Sequence, residues 1–354
     1  MNIFIRNIFS GGGFIFNIFS SLSPLSITAL ILTFSVIFVN GLTDAPNSIA
    51  TCITTRCLSL KKAVLLSAIF NFIGVMVIMK LNPAVSNTIM GMVDFGENSQ
   101  RATVALAAAL FSIVLWAVLA WYFGIPTSES HALIAGLSGS ALAINGGFSG
   151  INAAEWVKAI YGLFTSCGLG FLGGFLICRL VLSVFKNIKR QKAEKFFKGA
   201  QIFASLFMSF MHGAQDGQKF IAVLLLTTSV QEENKGIFDI LTLACSLIIA
   251  LGTLTGGKKI IKSIGMDMIK LEKYQGFSAD LAAAIALLIS TLSGLPVSTT
   301  HAKTTAIMGS GTAVKYKNLN TSVIKDISLT WILTFPCCIG LGYLMTKVFL
   351  IIFS

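Results

Sequence analysis

The nine residues Gly294–Ala302, GLPVSTTHA, follow the apolar run Leu281–Ile289 and interrupt it with a proline, three hydroxyls and a histidine. A near copy, GIPTSESHA, stands at Gly124–Ala132 and shares Gly, Pro, Ser, His and Ala at five of nine places. A second pair of motifs accompanies them. NGLTDAPNS (Asn40–Ser48) lies over HGAQDGQKF (His212–Phe220), sharing the glycine and the central aspartate. The paired aspartates are 172 positions apart and the paired prolines 170. Two unrelated motifs in one order at nearly one offset mark an internal duplication, a pattern typical of membrane transporters.

Composition fixes the solvent. Hydrophobic residues make up 55% of the 354-residue chain and charged residues 11%, against about 25% charged in a soluble domain. Several windows exceed the roughly 18 apolar residues of a spanning helix. The chain therefore reads as an all-α polytopic membrane protein whose partner is the lipid bilayer. The net charge of +12 reads as topogenic Lys and Arg in loops, with no nucleic-acid module behind it. The seven cysteines lack zinc-type or disulfide-framework spacing and read as small hydrophobes.

Hydropathy places spans near 25–45, 61–80, 102–123, 152–185, 200–226, 237–256, 275–293 and 323–353, with shorter Gly/Ala/Ser-rich stretches at 124–148 and 294–314. Residues 186–198 hold six Lys or Arg against one Glu, which marks a cytoplasmic loop. The basic stretches 56–62 and 258–273 join it inside, while acidic 231–236 fits the outside. These assignments agree only if each short stretch makes one net crossing and both termini lie outside. The expected organisation is an N-terminal interfacial segment (1–24), a first repeat (25–185), a basic cytoplasmic linker (186–199) and a second, inverted repeat (200–354). The fold class is then an inverted-repeat transporter with broken or re-entrant helices at the midplane.

All three histidines, His131, His212 and His301, fall inside the four motifs, as do Asp44, Asp216, Glu129 and three of six prolines, Pro46, Pro126 and Pro296. Intramembrane polar residues are costly, and their concentration at paired positions marks a pathway. Packing alone accounts for the small residues but leaves Pro and His unexplained. Pro126 and Pro296 fit the first turn of a half-helix, whose free N–H groups and positive dipole end then face a cavity. Thr127, Ser128 and Ser130, with Ser298, Thr299 and Thr300, add neutral donors there. Backbone N–H plus hydroxyl is a donor set for a tetrahedral oxyanion. Asp44 and Asp216 would repel such an anion unless a cation or proton intervenes. Asn40, Thr43, Asn47, Gln215 and Gln218 offer oxygens suited to sodium around them. Lys219, three residues after Asp216, either pairs with it, meets the anion or snorkels. The expected coupling ion is Na+ or H+, with no other cofactor.

With these residues assembled, the chain resembles the inorganic phosphate transporter (PiT) family of phosphate–cation symporters. The resemblance runs from Asn40 through both repeats and rests on NGLTDAPNSIATCITTR, HGAQDGQK, GIPTSESHALIAG and GLPVSTTHAKTTAIMG. It implies phosphate held between helix breaks. Asp44, Gln215 and Asp216 would share in binding it, framed by the hydroxyls of Thr127, Ser128, Ser130, Ser298, Thr299 and Thr300. His131, His212, Lys219 and His301 would support the site. The chain departs from the family pattern at Thr43, where His or Asn is frequent, at Pro46, where Ala or Val is, and at Gln215, where Asn is. The long cytoplasmic domain of eukaryotic members is replaced by 186–198, which points to a compact prokaryotic form in the cell membrane, with a homodimer as the expected assembly.

A sulfate permease of the same architecture is the alternative. Phosphate, unlike sulfate, can carry a proton and donate to a carboxylate, so Asp44 and Asp216 favour phosphate. An enzyme is not expected, because no H-E-x-x-H, G-x-S-x-G or P-loop pattern is present. A channel is disfavoured because paired carboxylates beside an anion site imply coupling rather than a selectivity ring.

Overall fold

A computed structural model describes residues 23–123, 127–228, 234–256, 270–314 and 321–353. Twelve α-helices are numbered here within those residues. They are α1 (Pro24–Thr43), α2 (Ala45–Thr54), α3 (Leu60–Leu81), α4 (Ala84–Met90), α5 (Ser99–Phe123) and α6 (Glu129–Asn145). There follow α7 (Ala153–Val184), α8 (Arg190–Thr228), α9 (Lys235–Thr255), α10 (Lys273–Leu292), α11 (Thr299–Thr312) and α12 (Thr321–Phe353). Among the described residues, seven stretches are long and apolar enough to cross a membrane: α1 with α2, α3, α5, α7, α9, α10 and Ile324–Phe353 of α12. Pro126, most of the 1–24 segment, residues 231–233 and most of 258–273 lie outside the described residues.

The span expected at 200–226 lies within one long helix. It belongs to the 39-residue α8, which fails the apolar criterion because His212, Gln215, Asp216, Gln218 and Lys219 lie in its middle. These side chains are all buried, so α8 is sheltered by protein rather than lipid. Its first turns, from Arg190, take in most of the basic stretch expected as a linker. Arg190 Nε donates to Glu194 Oε1 at 2.9 Å, an i,i+4 pair on that exposed segment.

The apolar helices arrange themselves by how much surface they must hide. In α7 and α12 only 22% and 17% of the span window is buried, so they form the lipid-facing rim. In α10 the buried share is 67%, and α6 and α11 are almost wholly buried. The packing partners repeat between the halves of the chain. Helix α6 packs on α12 as α11 packs on α7; α1 packs on α9 as α8 packs on α3; and α5 packs on α1 as α10 packs on α8. Small residues permit these approaches. A Cβ on Gly139 would strike the Ile339 carbonyl, and one on Gly309 the Phe171 carbonyl.

Helices α6 and α11 hold 17 and 14 residues, about 26 and 21 Å at 1.5 Å per residue. Both fall short of the roughly 30 Å hydrocarbon core. They are short, buried helices, and their N-termini are where the sequence placed its paired motifs.

Candidate functional site

Four elements converge: the starts of α6 and α11, the break between α1 and α2, and the middle of α8. Each is shaped by local chemistry. At the end of α10, Gly294 takes φ +67. Its N–H donates to the Thr291 carbonyl and Leu295 N–H to the Ser290 carbonyl, a Schellman stop that needs a left-handed residue. The chain then runs extended to Ser298, whose Oγ accepts the His301 N–H at 3.2 Å and caps α11. Ser128 caps α6 through the His131 N–H in the same way, at 3.2 Å. Pro296 therefore precedes the cap instead of occupying the first helical turn. The capping bond needs Ser298 in extended backbone (φ −82, ψ 118), which leaves proline in the approach.

The aspartates differ in backbone. Asp44 sits at the α1–α2 break, since Pro46 has no N–H to continue the ladder. Asp216 lies inside unbroken α8, because the position matching Pro46 is Gln218. The chain is thus broken at the first aspartate and continuous through the second.

Around Asp44, Thr299 Oγ1 donates to Oδ2 at 3.2 Å, Thr300 Oγ1 donates to Oδ1, and Asn47 Nδ2 donates to Oδ1 at 2.7 Å. Asn47 Nδ2 also reaches Thr300 Oγ1 at 2.8 Å. Around Asp216, Lys219 Nζ donates to Oδ1 at 2.6 Å and Asn40 Nδ2 to Oδ2 at 3.2 Å. Lys219 Nζ further donates to Ser130 Oγ at 2.5 Å and to the Val297 carbonyl at 2.6 Å. Thr43 Oγ1 donates to Glu129 Oε1 at 3.2 Å, which brings a third carboxylate to the start of α6. Single ligand atoms of Asp44, His212 and Asp216 lie within 4.8 Å of one another, close enough to share one cation. His212 Nδ1 pairs with Asn71 Oδ1 at 2.9 Å, and Nε2 lies 3.2 Å from Asp216 Oδ2. With the Nδ1 proton directed at the amide oxygen, two acceptors face each other there. A proton or cation between them removes the conflict.

The structure thus gathers Asn40, Thr43, Asp44, Asn47, Ser128, Ser130, His131, His212, Asp216, Lys219, Ser298, Thr299, Thr300 and His301, with buried Thr127 beside the first cap. Two expected residues are engaged elsewhere. Gln215 accepts from Thr291 Oγ1 at 2.5 Å and donates to the Leu295 carbonyl at 2.9 Å, so it braces the approach to the second tip. Gln218 Oε1 accepts the Val85 N–H at 3.0 Å, at the start of α4. Neither amide makes a hydrogen bond to a carboxylate, because α8 turns those side chains towards α10 and α4. Lys219 pairs with Asp216 and does not snorkel.

Sequence reading missed a second buried charge pair. Lys303 Nζ, on α11, donates to Asp280 Oδ1 on α10 and to Thr51 Oγ1 on α2 at 3.2 Å; Thr51 Oγ1 also donates to Asp280 Oδ1 at 2.6 Å. Both charges are fully buried. Asp280 falls in the expected span 275–293, so the census of intramembrane acids that singled out Asp44 carried the signal. Trp331 and Phe335 were also missed, since nothing local distinguishes them from lipid-facing aromatics. They lie on His301 (centroids 3.7 Å) and His131 (4.5 Å).

Comparison with known proteins agrees with this architecture. Residues 40–342 match the phosphate transporter family. A Bacillus subtilis (strain 168) protein named "Probable low-affinity inorganic phosphate transporter" is 33% identical over 321 residues, covering 90% of this chain and 95% of its own. A Rhizobium meliloti (strain 1021) protein of the same name is 35% identical, covering 88% and 93%. Among solved structures, "The sodium-dependent phosphate transporter" superposes with a TM-score of 0.80 at 24% identity, over 93% of this chain and all of that one. That last likeness speaks for the fold. The match spans both motif pairs and the helices that carry them, and this chain belongs to the phosphate transporter family, as a multi-pass membrane transporter and not an enzyme.

Proposed function

We propose that the protein imports inorganic phosphate across the cell membrane by symport with a cation, Na+ or H+. The observation that carries this reading is the meeting of two capped helix N-termini with two buried aspartates. The first N–H groups of α6 and α11 have no intrahelical acceptor, and the positive ends of both dipoles point at one place. Backbone N–H groups, with the hydroxyls of Thr127, Ser128, Ser130, Ser298, Thr299 and Thr300, form the phosphate cradle. The capping serines accept a backbone N–H through oxygen, which leaves their own protons to donate.

Three carboxylates, Asp44, Asp216 and Glu129, stand there against one ammonium, Lys219, all buried. Unpaired charge at that depth is costly, and an added anion raises the cost. A co-bound cation offsets it, which makes anion and cation binding mutually favourable, the thermodynamic content of symport. Asn40 Oδ1 and Asn47 Oδ1 are buried without partners and are sodium-type ligands. His212, with a ring nitrogen within 4.8 Å of oxygens of both Asp44 and Asp216, offers the same cation a nitrogen ligand or takes a proton in its place. Protonated phosphate also donates to Asp44 or Asp216, which ionised sulfate cannot do.

The repeated packing partners support two repeats divided as 25–185 and 200–354. The Lys and Arg of 186–198 favour a cytoplasmic linker, an inverted second repeat and both termini outside. In that arrangement α6 and α11 reach the midplane from opposite sides. The gathered side chains are all buried, so substrate access requires one half to move against the other.

Competition tests the substrate. Unlabelled sulfate at a hundredfold excess over radiolabelled phosphate is expected to leave uptake intact. Displacement by sulfate would replace phosphate with a general oxyanion.

A further inference from the structure

Each aspartate accepts from the side chain three residues after it, and that side chain also donates to a hydroxyl of the opposite half's tip; one of these donors is neutral and the other charged. Alignment of the motifs sets Asn47 over Lys219, each three residues after its aspartate, and Thr300 over Ser130. Asn47 Nδ2 donates to Asp44 Oδ1 at 2.7 Å and to Thr300 Oγ1 at 2.8 Å. Lys219 Nζ donates to Asp216 Oδ1 at 2.6 Å and to Ser130 Oγ at 2.5 Å. A neutral amide in the first half stands where an ammonium stands in the second.

We infer that the Lys219 ammonium is a tethered cation filling the Asp216 position, which leaves the Asp44 position as the place where one mobile coupling cation binds. This rests on the symport reading above.

The donor count separates this role from that of a phosphate ligand. An ammonium has three N–H donors and no acceptor. All three are directed at oxygens, the third at the Val297 carbonyl at 2.6 Å, so none is left for an incoming anion. The contacts are what a bound cation would receive: a carboxylate, a hydroxyl and a backbone carbonyl. Lys219 is also fully buried and pinned by α6, α8 and the approach to α11. Asn47 spends both amide protons on Asp44 and Thr300, and its Oδ1 is buried without a partner. Asn40 Oδ1 and His212 Nε2 are unpartnered near Asp216 as well, but that carboxylate already holds an ammonium. Asp44 has only neutral donors, and a cation would satisfy it and Asn47 Oδ1 together. The chain supplies the charge in one half and leaves it to solution in the other. The expected consequence is one mobile cation per phosphate instead of two.

The test is phosphate binding to purified protein, titrated with NaCl at fixed pH and with pH in the absence of Na+. A Hill slope cannot exceed the number of coupled sites, so the wild type is expected to give about one for the coupling ion and Lys219→Asn about two. Lys219→Asn should bind phosphate at high cation concentration and lose it steeply as cation is withdrawn. The reciprocal Asn47→Lys places a tethered charge in the first half and should bind phosphate with no added cation. A wild-type slope of about two, a Lys219→Asn slope that stays at about one, or cation dependence retained by Asn47→Lys would each overturn the inference. If neither variant folds, the wild-type slope decides. A wild type that binds no phosphate refutes the transport reading itself, whereas one that binds phosphate with the wrong slope refutes only the tethered cation.

Discussion

His131 and His301 meet edge to face across the two tips, with ring centroids 4.5 Å apart and planes at 77°. Each sits in the first turn of its helix, so the pair fixes how closely the two N-termini approach. Phe335 and Trp331 of α12 press on the outer side of the rings. The paired histidines therefore read as packing elements of the cradle.

His301→Ala is accordingly expected to lower stability by about 2 kcal/mol through the cavity it leaves beside Trp331. His301→Phe, which keeps a ring, should retain most uptake. Thermal unfolding in detergent and uptake in cells separate the cases. Loss of uptake in the phenylalanine variant, with stability intact, would assign the imidazole a chemical role.

Asp44→Asn and Asp216→Asn are both expected to abolish cation-dependent uptake, but with different effects on folding. Asp44 is surrounded by neutral donors, so its variant should insert and fold. Removing the Asp216 charge leaves Lys219 buried and unpaired, a loss of about 3–5 kcal/mol. Folded yield by size-exclusion chromatography should fall for Asp216→Asn alone. Equal yields would mean that the ammonium finds another partner.

Ser298→Ala removes both a cap and a donor. Capping loss costs about 1 kcal/mol, and the missing hydrogen bond to a charged substrate about 1.5–3 kcal/mol of affinity. Ser298→Thr preserves the cap and should fold normally. Gly294→Ala forces a left-handed alanine, at about 1–2 kcal/mol, next to Ala84. It should weaken binding without touching the cradle, by displacing α11. Unchanged phosphate affinity in both Ser298→Ala and Gly294→Ala would contradict the tip geometry.

Lys303→Met strands Asp280 among buried neighbours and is expected to destabilise by about 3–5 kcal/mol. The double variant Lys303→Met/Asp280→Leu should recover much of that loss, because a matched apolar pair needs no compensation. Detergent stability of the three proteins checks this. No recovery would show that the pair is held by more than mutual charge.

Much of this architecture was legible in the chain because rare residues in an apolar sequence stand out. The two tips and the aspartate pairing follow from the motif offsets. Ser128 and Ser298 as caps do not, since proline fits a first helical turn as well as the approach to one. The continuity of α8 through Asp216 was also written there, since Gln218 replaces the helix-breaking Pro46, but a duplication invites the reader to assume two breaks. Hydropathy places a span at 200–226, but it does not report that other helices, not lipid, surround the polar residues at its centre. The hydrogen-bond partners of Gln215 and Gln218 were not legible, because their type suits a cation shell while their direction depends on the rotation of α8. The Lys303–Asp280 pair joins residues 23 apart, and no single-window reading reports such contacts.

The most direct test of the central claim is phosphate uptake into proteoliposomes with Na+ and H+ gradients imposed separately. An inward gradient of one cation should drive phosphate above equilibrium, with the drive lost in Asp44→Asn. Uptake that only equilibrates phosphate, indifferent to either gradient, would contradict the coupling of the anion tips to the buried aspartates.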